Sequence, residues 1–122
     1  MEDGCLLRFY VHESQRCHGR MLWEWLLGEA RRLGLRGGSA RRAMAGFGRH
    51  QHLHEQHFVE LAGTLAIELE FVVDEAEASR LMALVEASGA RVFCARIPAR
   101  FGVINPDAGD RPTASGPLSD RD

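Results

Sequence analysis

Leu65-Ala66-Ile67-Glu68-Leu69-Glu70-Phe71-Val72-Val73-Asp74 carries the clearest strand pattern in the chain. Leu65, Ile67, Leu69, Phe71 and Val73 fall on one face, and Glu68 and Glu70 on the other. That period of two belongs to a strand with one buried side. Asp74 can then cap a helix, and Glu75 and Glu77 suit its positive first turn. Ala78, Leu81, Met82 and Val85 give that helix a buried stripe, which stops near Ser88-Gly89. A last strand over 91–97 groups Phe93, Ala95 and Ile97 on one face, and Pro98 ends it.

The first half of the chain repeats this alternation. Over 5–12, Cys5, Leu7, Phe9 and Val11 oppose Leu6, Arg8, Tyr10 and His12, which is a second half-buried strand. Residues 13–16 are a polar connection, and Gly19 permits a turn. Leu22, Trp25, Leu26, Ala30 and Leu33 recur at helical spacing over 19–34. Gly34 is a natural stop, preceded by Arg31 and Arg32, which suit the negative end. Trp23 and Leu27 widen this stripe toward a loop or a neighbouring subunit. A Gly-rich turn at 35–38 leads to a weaker strand over 39–45, where Arg41 and Arg42 are adjacent. Phe58 and Leu61 mark the return toward the core.

The order is βαββαβ. Right-handed crossovers turn it into a ferredoxin-like α+β sandwich, a four-stranded antiparallel sheet with two helices on one face. The domain is expected over residues 4–104. Residues 105–122 hold three of the four prolines and no apolar period, and read as a disordered tail. The apolar strand faces pack on the helices. The open face is expected to carry Arg8, Tyr10, His12, Glu68, Glu70 and Arg96, a mixed-charge surface that is either plain solvated surface or pairs with copies of itself. Opposite charges that fix register across a symmetric interface favour the oligomer.

The 122 residues suit one modest core. A net charge of −2 with both signs interspersed argues against a general nucleic-acid binder. No apolar run approaches the roughly 18 residues of a membrane span. The acidic start Met1-Glu2-Asp3-Gly4 is unlike a signal peptide, so the expected compartment is the cytoplasm. Cys5, Cys17 and Cys94 are odd in number, with no C-x-x-C pair, and read as reduced thiols.

Three chemistries compete for the polar residues. Arg41-Arg42-Ala43-Met44-Ala45-Gly46-Phe47-Gly48 runs from the second strand into a glycine break. Gly46 and Gly48 can present backbone N–H groups to an anion, with Arg42 and Arg16 supplying charge and bidentate donors. Phe47 can stack on a base or plug the core. In the structural alternative the glycines serve only the bend, and Arg42 pairs with a carboxylate. No Walker lysine is present, so nothing marks a nucleotide hydrolase. Next, His50, His52, His54 and His57 form H-x-H-x-H-x-x-H, a ligand set for Zn, Ni or Cu or else a solvated loop of weak bases. Finally, Glu68 and Glu70 read as ion-pair partners, and no Ser/His/Asp or Cys/His order is recognisable. An enzyme is not expected.

Glu13-Ser14-x-Arg16-x-x-Gly19, Leu22, Ala30-x-x-x-Gly34-Leu35, Arg42-x-x-Ala45-Gly46-Phe47-Gly48, His54 and Glu70-Phe71-Val72 occur in order. Together they resemble the bacterial and archaeal family known as domain of unknown function 190, which is similar in fold to the P-II nitrogen-signalling proteins. The resemblance covers roughly residues 6–97. It implies a ferredoxin-like protomer, a homotrimer, and a long loop at 47–61 that contacts a protein target. It also implies adenine nucleotide (AMP, ADP or ATP) in the clefts between subunits, near Arg16, Arg42, Gly46, Phe47 and Gly48.

Overall fold

The computed structural model of the chain describes residues 1–46 and 66–109. Its strands are β1 (Glu2–His12), β2 (Arg16–Cys17), β3 (Arg20–Met21), β4 (Ser39–Arg42), β5 (Ala66–Val73) and β6 (Phe93–Phe101). Its helices are α1 (Leu22–Arg32) and α2 (Glu75–Ser88). The main sheet has the order β4-β5-β1-β6, with every neighbouring pair antiparallel. This is the expected ferredoxin-like arrangement. β2 and β3 form a small separate hairpin.

The core follows the alternation read from the sequence. Cys5, Leu7, Phe9 and Val11 of β1 and Ile67, Leu69, Phe71 and Val73 of β5 are buried, as are Leu22, Trp25, Leu26 and Ala30 of α1 and Ala78 and Leu81 of α2. Met82, Val85, Trp23 and Leu27 are half-buried against that cluster. Phe9 and Phe71 meet edge to face at 6.2 Å between centroids, a favoured aromatic geometry. Burying a side chain of this size contributes roughly 1.5–3 kcal/mol relative to exposure. The three cysteines are unpaired, and burial pushes the Cys5 thiol pKa up.

The ends of the elements have local causes. Asp74 accepts from the Glu77 N–H at 2.8 Å, and Glu77 accepts from the Asp74 N–H at 2.9 Å. This closed capping box starts α2, and Gly89, in the left-handed region at φ 76°, stops it. α1 has no side-chain cap; the Leu22 N–H donates to the Gln15 carbonyl at 2.7 Å instead.

Four expectations are corrected. The helix expected over 19–34 begins only at Leu22, because Arg20 and Met21 complete a hairpin. Its tight turn places His18 and Gly19 at φ 53° and 75°, the twist a two-residue hairpin demands. The second strand ends at Arg42, although the Ala43 N–H still donates to the Ala66 carbonyl at 2.9 Å. Pro98 does not end the last strand, which runs on to Phe101 and pairs Pro98 with Cys5. β6 is an edge strand, where a missing N–H can face away from the sheet.

The fourth correction concerns the faces of β6. Arg96 stands opposite buried Leu7, whereas Phe93, Ala95 and Ile97 stand opposite Tyr10, Arg8 and Leu6. Arg96 is therefore on the helix side, where its guanidinium meets Glu75 of α2. Phe93 and Ile97 are on the open face, with 67% and 46% of their surface exposed.

Residues 105–109 of the expected tail include a turn with Asn105 at φ 61°. The remainder of that tail and the loop at 47–61 lie outside the described residues.

Candidate ligand site at one end of the sheet

Antiparallel pairing brings three chain segments to the same end of the sheet. β1 ends there at His12, β5 begins there at Ala66, and β4 ends there at Arg42. The first segment is the turn after β1. The Gln15 N–H donates to the His12 carbonyl at 3.0 Å, and Gln15 Oε1 accepts from the His12 N–H at 2.7 Å. Gln15 Nε2 also donates to the Arg91 carbonyl at 3.2 Å. His12 Nδ1 and Ser14 Oγ are 2.9 Å apart. Because the Gln15 carbonyl also receives the first N–H of α1, this one residue ties β1, α1 and the approach to β6 together.

The second segment is the β2–β3 hairpin, which carries Arg16. Its Nη2 donates to the Gly19 carbonyl at 2.8 Å, and its Nη1 lies 3.8 Å from Met21 Sδ. In this state the guanidinium is folded onto its own hairpin. The His18 ring packs on Trp25 of α1 at 5.2 Å between centroids.

The third segment is the exit of β4. Arg42 stands opposite Ile67, and its Nε and Nη2 both donate to Glu13 Oε2, at 3.0 and 2.5 Å. Met44 is 89% exposed. A Cβ placed on Gly46 would meet nothing within 4 Å, so no described neighbour requires glycine there. Arg16, Arg42 and Gly46 thus lie on segments gathered at one end of the sheet. Phe47 and Gly48 lie outside the described residues. So do His50, His52, His54 and His57; among the described residues no group of three or more His, Cys, Asp or Glu could hold a metal ion.

Two residues of this site escape a reading of the sequence. Glu13 stands out there only as part of a motif, yet its carboxylate holds Arg42 across 29 positions of sequence. Gln15 reads as plain connection. Neither has a periodic signal, because both act through contacts distant in sequence.

The open sheet face has its own electrostatics. Arg8 Nε donates to Glu70 Oε2 at 3.0 Å, and Arg41 Nη2 lies 3.1 Å from the other oxygen, Oε1. Arg8 and then Arg41 hold the Glu70 carboxyl below the usual range. Around this network stand Tyr10 and Phe93, with rings 5.6 Å apart, and the exposed Val72 and Ile97. At the opposite end of the sheet, a shallow groove is lined by Asp3, Gly4, Pro98, Ala99 and Arg100.

Residues 4–94 match the family described as DUF190, Uncharacterized ACR. The chain belongs to the DUF190 family. Among curated relatives of this DUF190 protein is a UPF0166 protein of Aquifex aeolicus (strain VF5), 27% identical over 77 residues, which are 63% of this chain and 73% of that one. Among solved structures, a protein from Thermus thermophilus, provisionally described as PII-like and signaling, superposes with a TM-score of 0.51 at 23% identity. The match covers 81% of this chain and 90% of that one. The DUF190 chain therefore has the PII-like variant of the ferredoxin-like fold. No described helix is long and apolar enough to cross a membrane.

Proposed function

We propose that this DUF190 protein is a P-II-like regulatory protein and not an enzyme. It binds an adenine nucleotide (AMP, ADP or ATP) near Arg16, Arg42, Gly46, Phe47 and Gly48, and reports to a protein target through the loop at 47–61. The observation that carries this reading is the gathering of the Arg16 hairpin and the Arg42–Gly46 exit at one end of the sheet. Two arginines and a glycine-flanked backbone there are donors suited to phosphate oxygens. The loop leaves from the same point, so a ligand held at Arg42 can bias it. That bias equals the ligand's differential affinity for the two loop states, no more.

The protein works as a homotrimer in the cytoplasm, with the open sheet faces turned toward one another. Support comes from Val72, Phe93 and Ile97, each more than 40% exposed, around the Arg8–Glu70–Arg41 network. Apolar contacts supply the attraction and the ion pairs set the register.

Calorimetric titration tests the nucleotide claim. AMP, ADP or ATP added to protein of measured solution mass should give saturable heat, strongly reduced by Arg42→Ala. A verified oligomer giving no heat with any of the three counts against the reading.

A further inference from the structure

Arg42 already has an anion. Its Nε and Nη2 converge on the single oxygen Oε2 of Glu13. That is also how one oxygen of a phosphate group would engage the same edge of the guanidinium. The Arg42 side chain is 59% exposed, while that of Glu13 is 14% exposed. An anion arriving from solvent therefore meets the guanidinium first, with the carboxylate behind it.

The two partners are held differently. Glu13 sits in the turn between His12 and Gln15, whose ends are joined by two hydrogen bonds. Gln15 further anchors that turn to Arg91 and to the start of α1. Arg42 is the last residue of a four-residue edge strand. The carboxylate is presented by a braced turn, and the guanidinium is on the element with fewer constraints.

We propose that Glu13 is a built-in competitor that occupies Arg42 until a ligand phosphate displaces it. This rests on the reading of Arg42 as a phosphate ligand. Binding is then an exchange of one anion for another at the same nitrogens. The exchange has a consequence beyond affinity. A bound phosphate breaks the Glu13–Arg42 pair and so removes one tie between the β1–β2 turn and the exit of β4. Ligand occupancy is thereby reported to the hairpin and to the base of the loop by one broken ion pair.

The test uses the full chain, with ATP and inorganic pyrophosphate as probes in calorimetry. Glu13→Gln keeps the side chain's shape and removes its charge. It should bind both probes about 1.5- to 5-fold more tightly than the wild type, the range a partly exposed ion pair represents. Arg42→Gln should bind both more weakly. Equal or weaker binding by Glu13→Gln, with the Arg42→Gln loss still seen, overturns the competition and leaves the nucleotide site standing. No binding by any of the proteins overturns both.

If Glu13→Gln does not fold, the wild type answers by nuclear magnetic resonance. The Glu13 carboxyl carbon and the Arg42 Nε–Hε signal should move together as ATP saturates the protein. A Glu13 signal unmoved at saturation overturns the proposal.

Discussion

Arg36 Nη2 donates at 3.3 Å to Glu77 Oε1, the oxygen that also closes the α2 capping box. The same guanidinium donates to Glu2 at 2.7 Å and lies 4.9 Å over the Phe101 ring. The start of β1, the α1–β4 connection, the first turn of α2 and the end of β6 therefore meet at one side chain. Asp74→Ala, which removes one half of the box, should cost about 1 kcal/mol. Glu77→Ala should cost more, since it removes the other half together with the closer and more buried partner of Arg36, at 3.3 Å against 3.9 Å for Asp74. Urea unfolding measures both, and an unchanged midpoint for Glu77→Ala would show that this junction does not hold the fold.

Gly38 lies against the buried ring of Phe71. A Cβ there would come within 2.4 and 2.6 Å of two ring atoms. Phe71 is 1% exposed, so the ring has nowhere to retreat. Gly38→Ala should destabilise by about 1–3 kcal/mol through overpacking. A thermal midpoint equal to the wild type would refute this.

Acid should weaken the fold through Glu70 and Glu2. Hydrogen bonds from Arg8 and Arg41 hold the Glu70 carboxyl below its ordinary value of 4.5, and a hydrogen bond from Arg36 does the same for Glu2. A carboxylate depressed in the folded state contributes stability that is complete above the ordinary value. That stability is lost as pH falls through the lower, folded value, because the unfolded chain takes up the proton first. The urea midpoint should therefore drop between about pH 5 and pH 3. Glu70→Gln should show a shallower drop, and an identical slope would remove Glu70 from the account.

The open sheet face should control assembly. Phe93→Asp and Ile97→Asp each place a charge on the apolar rim of the Arg8–Glu70–Arg41 network. Light scattering should find a trimer for the wild type and a smaller species for both variants. Variants that keep the wild-type mass would move the interface elsewhere.

The histidine run should be separable from nucleotide binding. Replacing His50, His52 and His57 together with Ala should leave ATP binding intact and abolish any thermal shift caused by Zn, Ni or Cu. Loss of ATP binding in that variant would tie the histidines to the nucleotide site.

Part of this molecule is plain in the one-dimensional pattern. The alternation of Leu7, Phe9 and Val11 and of Ile67, Leu69, Phe71 and Val73 places the core. Asp74, Glu77 and Gly89 mark both ends of α2, since caps act within a few residues of themselves. The β2–β3 hairpin is hidden because each strand has two residues, too few to show a period. Arg16, Arg42 and Gly46 stand out by type, but their placement at one end of the sheet depends on β4, β5 and β1 pairing as they do.

β6 separates the two levels of information most clearly. Alternation by itself determined that Phe93, Ala95 and Ile97 share a face and that Cys94 and Arg96 share the other. Which face turns toward the helices was decided only in three dimensions, by the register that sets Arg96 opposite Leu7 and lets it reach Glu75. An edge strand covered over only part of its length accepts either orientation of an apolar set, so an ion pair to the neighbouring helix can settle the choice. The partnership of Arg42 with Glu13 has the same origin. Local sequence supplies an arginine and a carboxylate, and only the closing of the sheet brings them together.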